Sequence, residues 1–241
     1  MVDRFFIAGR TIGAGSLVEL DRDESRHAVD SRRLRVGATV ELLDGNGLIA
    51  RGSVTSASRR GVEVQVTEAN QVPRTGRRVA LVVSVPRGPR MDTLVDMATQ
   101  LGAAAICPIA FERSVAARDE VSPNKVERWG RIAREACKQS GAPYLPQIAP
   151  LETMEQWCAT RPREESAYLL HPSAPPPSLG ARLALSVAPV SLVIGPEGGV
   201  TDRELAVLEA AGVVPASLPT PILRIETAAV AALALACAVS T

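Results

Sequence analysis

The chain has 241 residues, of which 27 are basic and 26 acidic, giving a net charge of +1, and 46% are hydrophobic. That content supplies a core for one large domain or two modest ones and excludes a disordered or strongly polyanionic chain. The longest apolar run, Ala228 to Val239, is well short of the ~20 residues of a membrane span, and no secretory signal opens the sequence, so a cytoplasmic protein without membrane contact is expected.

Cys107, Cys137, Cys158 and Cys237 are far apart and form no CxxC pair, and histidine is scarce. Reduced thiols and no metal site are the expectation. Charge is unevenly spread: residues 1–78 carry 13 Arg against 10 acids, whereas residues 151–241 carry 5 basic against 9 acidic side chains. The basic end is the candidate nucleic-acid face. Arginine outnumbers lysine heavily, which suits phosphate and base edges and equally fits a genome rich in G and C.

In chain order, residues 1–72 read as a small β-rich domain. Strands are expected at Arg4 to Ala8, Thr39 to Leu43, Leu48 to Val54 and Gly61 to Val66, the last alternating with period two. Asp44-Gly45-Asn46-Gly47 is a hairpin turn. A short helix over 23–29 leads to the cluster Arg32, Arg33 and Arg35, a solvated face by default and a candidate RNA contact.

The segment Gln71 to Gly76 reads as a linker, and a second domain over 77–241 alternates strand and helix. Strands are expected at Val79 to Val85, Ala104 to Ile109, Ala167 to Leu170 and Val190 to Ile194, with helices at Met91 to Leu101 and from Ser122-Pro123 to Gly141. This order predicts an α/β fold with a largely parallel sheet. Rossmann and P-loop fingerprints are absent.

Two stretches stand out. The strand ending at Ile194 runs into Gly195-Pro196-Glu197-Gly198-Gly199, and Thr201 with Glu204 then forms a capping box for a helix that Gly212 ends. Such a loop places backbone N–H groups at the carboxyl edge of a sheet, where α/β proteins bind ligands. Further on, Leu218 to Leu223 is extended and proline-bearing, and Arg224-Ile225-Glu226-Thr227 opens an Ala/Val/Leu helix. Polar groups between apolar segments face a cleft or an interface, although an ordinary salt-bridged helix N-terminus fits these four residues as well.

GPEGG followed by ILRIETA resembles the SPOUT superfamily of knotted S-adenosylmethionine-dependent methyltransferases, most closely the branch that methylates N3 of a uridine in small-subunit (16S) ribosomal RNA. LRVG at 34–37, residues 86–115, ERWGRIAREACKQSG at 127–141 and LHP at 170–172 extend the resemblance over most of the chain. It implies a PUA-like RNA-binding β-barrel, then a SPOUT methyltransferase domain with a C-terminal trefoil knot.

The implied cofactor pocket is built from Leu170, His171 and Pro172, from Gly195, Pro196, Glu197, Gly198 and Gly199, and from Leu218 and Leu223 with Thr227 and Ala228. Catalysis falls to Arg224, as an electrostatic stabiliser of the uridine imidate, and to Glu226, which orients Arg224 or accepts the proton. Arg32, Arg33, Arg35, Arg87, Arg90, Arg113 and Gln139 are the expected RNA contacts. The partners implied are small-subunit ribosomal RNA or the assembled subunit and, through the apolar last helix, a second copy in a homodimer.

The chain departs from the family pattern at Asp30, Ala142, Pro219, Pro221 and Ile225. These changes leave open an RNA-binding assembly factor without catalysis, or a related methyltransferase acting on another base or on ribose.

Overall fold

The computed structural model describes residues 2–7, 12–114 and 121–239. Two compact units are present: Met1–Arg74 with Arg134–Leu145, and Thr75–Ala133 with Pro146–Thr241.

In the first unit, strands β1 (Asp3–Phe6), β2 (Leu17–Glu19), β3 (Thr39–Leu43), β4 (Leu48–Ser58) and β5 (Gly61–Gln71) form one sheet in the order β1-β3-β4-β5-β2. Only the β1–β3 pair is parallel. Ala8, at the end of the first expected strand, lies outside the described residues. The carboxylate of Asp44 accepts the N–H groups of Asn46 and Leu48 at 2.7 and 3.0 Å and so closes the β3–β4 hairpin. Alternation along β5 buries Val62, Val64 and Val66 against Phe5, Val18 and Leu42. Helix α1 (Arg22–Arg26) is capped by Asp21 and continues as a π-turn over His27–Ser31.

The same unit contains a buried ion pair. Lys138 reaches Glu24 at 2.9 Å and Glu135 at 2.6 Å, and burial raises the Glu24 carboxyl above its ordinary value despite the ammonium beside it.

In the second unit, β6 (Val79–Ser84), β7 (Ala105–Ala110), β8 (Gln147–Ile148), β10 (Ser166–Leu170), β11 (Val190–Ile194) and β12 (Val213–Ala216) lie in the order β12-β10-β11-β6-β7-β8, with β9 (Glu152–Thr153) also on β7. Every pair is parallel. Both faces of a parallel sheet are covered, which is why β11 reads as an apolar run broken only by Ser191, and why all five of its residues are buried.

Helices are α2 (Arg90–Gln100), α3 (Pro123–Ser140), α4 (Met154–Thr160), α5 (Leu179–Leu183), α6 (Asp202–Ala210) and α7 (Ile225–Ala238). On one face of the sheet Val82, Leu169 and Val193 pack with Trp157 of α4 and Leu208 of α6. Residues of opposite parity meet α7, which packs on β6, β11 and α2. From Arg134 onward α3 belongs to the first unit.

All four cysteines are free thiols, and burial pushes those of Cys107 and Cys137 up to about 11, so both stay protonated at neutral pH. Among the described residues no helix is long and apolar enough to cross a membrane, and no cluster of His, Cys, Asp or Glu is arranged to hold a metal ion.

Candidate active site

Strand register builds the site. Leu170 of β10 pairs with Ile194 of β11 on one side and with Ala216 of β12 on the other, so three adjacent parallel strands end level. The segments that follow, 171–178, 195–201 and 217–224, therefore all leave the same carboxyl edge of the sheet. The expected cofactor residues Leu170, His171, Pro172, Gly195 to Gly199, Leu218 and Leu223 lie on them or at the strand end.

Local contacts shape these loops. His171 donates its backbone N–H to Ala216 O at 3.0 Å, and Leu179 donates to Ser217 O at 2.9 Å, which ties the first segment to the third. In the glycine loop, Gly199 donates to Pro196 O at 2.9 Å with a φ of +76°, a turn that favours glycine. A Cβ on Gly195 would stand 2.7 Å from Val200 Cγ2, and one on Gly198 would stand 3.2 Å from Arg113 Cβ. The backbone N–H groups of Glu197 and Gly198 have no acceptor among the described residues. The two glycines are thus set by the protein's own Val200 and Arg113, and the free donors of the loop fit an acceptor-bearing ligand lying against its backbone.

Two arginines expected at the RNA face touch this loop. Arg90 Nη1 bonds the Glu197 carboxylate, and Arg113 Nη1 donates to Gly198 O at 3.2 Å. The loop carrying Arg113 is fixed in turn: Glu204, 3% exposed, accepts Glu112 N–H at 2.6 Å while also closing the capping box with Thr201. The capping box makes Glu204 legible in the sequence, but its second contact comes from a residue 92 positions away and leaves no local signal.

Arg224 is the N-cap of α7, exposed, and its guanidinium has no hydrogen-bond or ion-pair partner among the described residues. Glu226 lies in the first turn with its Oε2 buried and unpartnered. No ion pair joins the two, so the orienting role for Glu226 has no contact behind it here. Thr227 is exposed, and Ala228 donates to Arg224 O at 2.8 Å.

The remaining expected RNA contacts fall in both units. Arg87 is exposed in the loop after β6, whereas Gln139 lies on the part of α3 that belongs to the first unit. Arg32, Arg33 and Arg35 are exposed after the π-turn; Arg32 pairs with Asp3 at 3.5 Å, and Arg33 has a φ of +54°. The acid in this region is neutralised, because Asp30 accepts from Arg59 Nε at 2.9 Å.

A parallel α/β sheet with loops aligned at one edge, joined to a small β domain, is an α/β architecture with room for a ligand at the sheet edge. The chain belongs to the RNA methyltransferase family: residues 73–237 match its RNA methyltransferase domain and residues 20–67 its RNA methyltransferase PUA domain. It is 33% identical over 239 residues to the ribosomal RNA small subunit methyltransferase E of Mycobacterium bovis, spanning 97% of this chain and 90% of that protein. The protein of the same name from Bacillus subtilis is 27% identical over 244 residues, spanning 96% and 94%. Among solved structures, ribosomal RNA small subunit methyltransferase E from Neisseria gonorrhoeae bound to S-adenosyl methionine superposes with a TM-score of 0.87 at 27% identity, covering 97% of this chain and 96% of that one.

Proposed function

We propose that the protein transfers the methyl group of S-adenosylmethionine to N3 of a uridine in 16S ribosomal RNA of the small subunit. The observation that carries this reading is the level ending of β10, β11 and β12, which brings three loops to one edge of the sheet in a chain of this family. The cofactor supplies an electrophilic methyl carbon, held by backbone groups of residues 170–172, 195–199 and 218–223 with Thr227 and Ala228 beyond.

Uracil N3–H is a weak acid, so the chain must lower the cost of losing that proton. Arg224, a cation with no internal partner, is placed at a helix start to stabilise negative charge on O2 or O4 of the imidate. Glu226, in the first turn of the same helix, accepts the proton through its carboxylate. Arg90 and Arg113 hold the glycine loop in shape, and the exposed Arg32, Arg33 and Arg35 of the first unit contact RNA phosphates.

The same reading makes residues 1–72 the RNA-binding domain and residues 77–241 the catalytic one, the latter threaded as a trefoil knot, in a cytoplasmic protein. It also makes the protein a homodimer. Support comes from α7, apolar nearly all round, where Thr227 and Ala234 remain exposed and Val230 half-buried.

Mapping base modifications on 16S rRNA from cells with and without the gene tests the reaction. A 3-methyluridine that disappears with the gene and returns on adding protein and S-adenosylmethionine to subunits is the expected result. S-adenosylmethionine binding with methyl transfer to another base or to ribose would redirect the chemistry. RNA binding with no cofactor binding would favour an assembly factor, and a monomer in sedimentation at micromolar concentration would overturn the dimer.

A further inference from the structure

Beside the glycine loop, the second unit contains a groove of about 560 Å³ between the start of α2 and the first turns of α3. Its floor is apolar and closed, with Met91 2% and Trp129 3% exposed, so no ring is presented for stacking. Its rim is cationic. Arg87 and Lys125 are exposed with no side-chain partner among the described residues, and Arg128 is held by Asp92 at 2.6 Å. Among the described residues three cations against one acid leave the rim positive, and two helices begin there with the positive ends of their dipoles, α2 without a side-chain cap. Arg90, although adjacent in sequence, is engaged by Glu197 and does not contribute a free charge.

Position along the sheet identifies what would use these cations. Ile194 of β11 pairs with Val83 of β6, so the loop after β6, which carries Arg87, emerges one strand away from the glycine loop at the same carboxyl edge. Resting on the proposed RNA methyltransferase activity, we propose that this groove binds the sugar–phosphate backbone of the RNA strand adjoining the target nucleotide, with Arg87 and Lys125 as the phosphate contacts and Arg128 fixed by Asp92 as a third donor. A polymer whose target base lies against the glycine loop continues along this edge, and spaced cations over a closed apolar floor match backbone contacts rather than base readout.

The test uses the full-length chain with Arg87→Ala, Lys125→Ala and the double variant, and a fluorescent single-stranded RNA of 16S sequence titrated over a range of salt. Both side chains are exposed, so thermal unfolding and S-adenosylmethionine affinity by calorimetry should stay at wild-type values. The double variant should bind RNA at least about tenfold more weakly, with a salt slope shallower by about 1.4, roughly 0.7 for each single-strand phosphate that no longer meets a cation. Lys125→Arg should retain wild-type slope. An unchanged RNA affinity and slope in the double variant would overturn the proposal, as would inorganic phosphate at millimolar concentration binding wild type but not the double variant without displacing RNA from either, which would mark a free-anion site. A wild-type protein that binds RNA in this groove yet methylates no ribosomal RNA would remove the proposed reaction and leave the groove standing.

Discussion

The Glu204 carboxylate accepts the Glu112 backbone N–H at 2.6 Å, so the residue that caps α6 also fixes the loop from which Arg113 reaches Gly198. Glu204→Ala removes the reciprocal cap and leaves a part-buried donor unpaired, and should cost about 2–3 kcal/mol in urea unfolding. S-adenosylmethionine affinity should fall with it, because the glycine loop loses its lateral support. Glu204→Gln, which keeps one acceptor oxygen, should recover part of both; wild-type cofactor affinity in the alanine variant would mean that the loop holds its shape unaided.

Gly198→Val puts a branched side chain where a Cβ alone would already stand 3.2 Å from Arg113 Cβ. Cofactor affinity should drop by about tenfold or more, equal to about 1.4 kcal/mol, while unfolding stays cooperative because the position is exposed. Calorimetry returning the wild-type constant would place the cofactor elsewhere.

Arg224 has no internal partner, so Arg224→Ala should leave stability within about 0.5 kcal/mol of wild type. Methyl transfer should nevertheless fall by roughly a hundredfold or more with cofactor affinity nearly intact. Arg224→Lys should recover only a fraction, since a point charge does not reproduce the planar fork. Raising pH should partly rescue the alanine variant as more uridine ionises unaided. Single-turnover rates on ribosomal subunits across pH decide the matter, and wild-type rates in the alanine variant would assign Arg224 a structural role.

The Lys138–Glu24 pair sets a pH dependence in the first unit. Burial raises the folded-state carboxyl of Glu24 above its ordinary value of 4.5, so the folded chain binds the extra proton. That contribution to stability is complete below 4.5 and is lost as pH rises through the raised folded value. Lys138→Met removes the compensating cation and should cost about 3–5 kcal/mol near neutral pH, with part regained on acidification. Adding Glu24→Gln should restore most of it. Urea unfolding at several pH values measures both, and a pH-independent loss would show that Lys138 acts through packing alone.

Much of this architecture is readable because local chemistry and tertiary structure agree. The strand at Val190–Ile194 and the capped helix α6 follow from an apolar run and a capping box, and both form as expected. Strands β4 and β5 run to 11 residues each, longer than their alternation suggests, because register shifts at Arg51/Gly52 and Val54/Ser56 break the period. The box Thr153 to Gln156 does announce α4, but seven residues give it little periodicity to confirm. Strand β12 contains Pro215, which argues against a strand from sequence and is tolerated at the edge of a sheet. Of the site, the loops are legible from glycine and proline spacing, whereas the contacts of Arg90, Arg113 and Glu204 join residues 85 or more positions apart.

Pro215 has one more consequence. Because Ala216 turns its carbonyl inward to His171, the neighbouring Pro215 turns its nitrogen outward, toward the open flank of β12. A foreign strand seeking to extend the sheet there would meet a missing donor midway along a four-residue edge. The apolar Val214, 39% exposed, is thereby kept from seeding edge-to-edge aggregation along this flank.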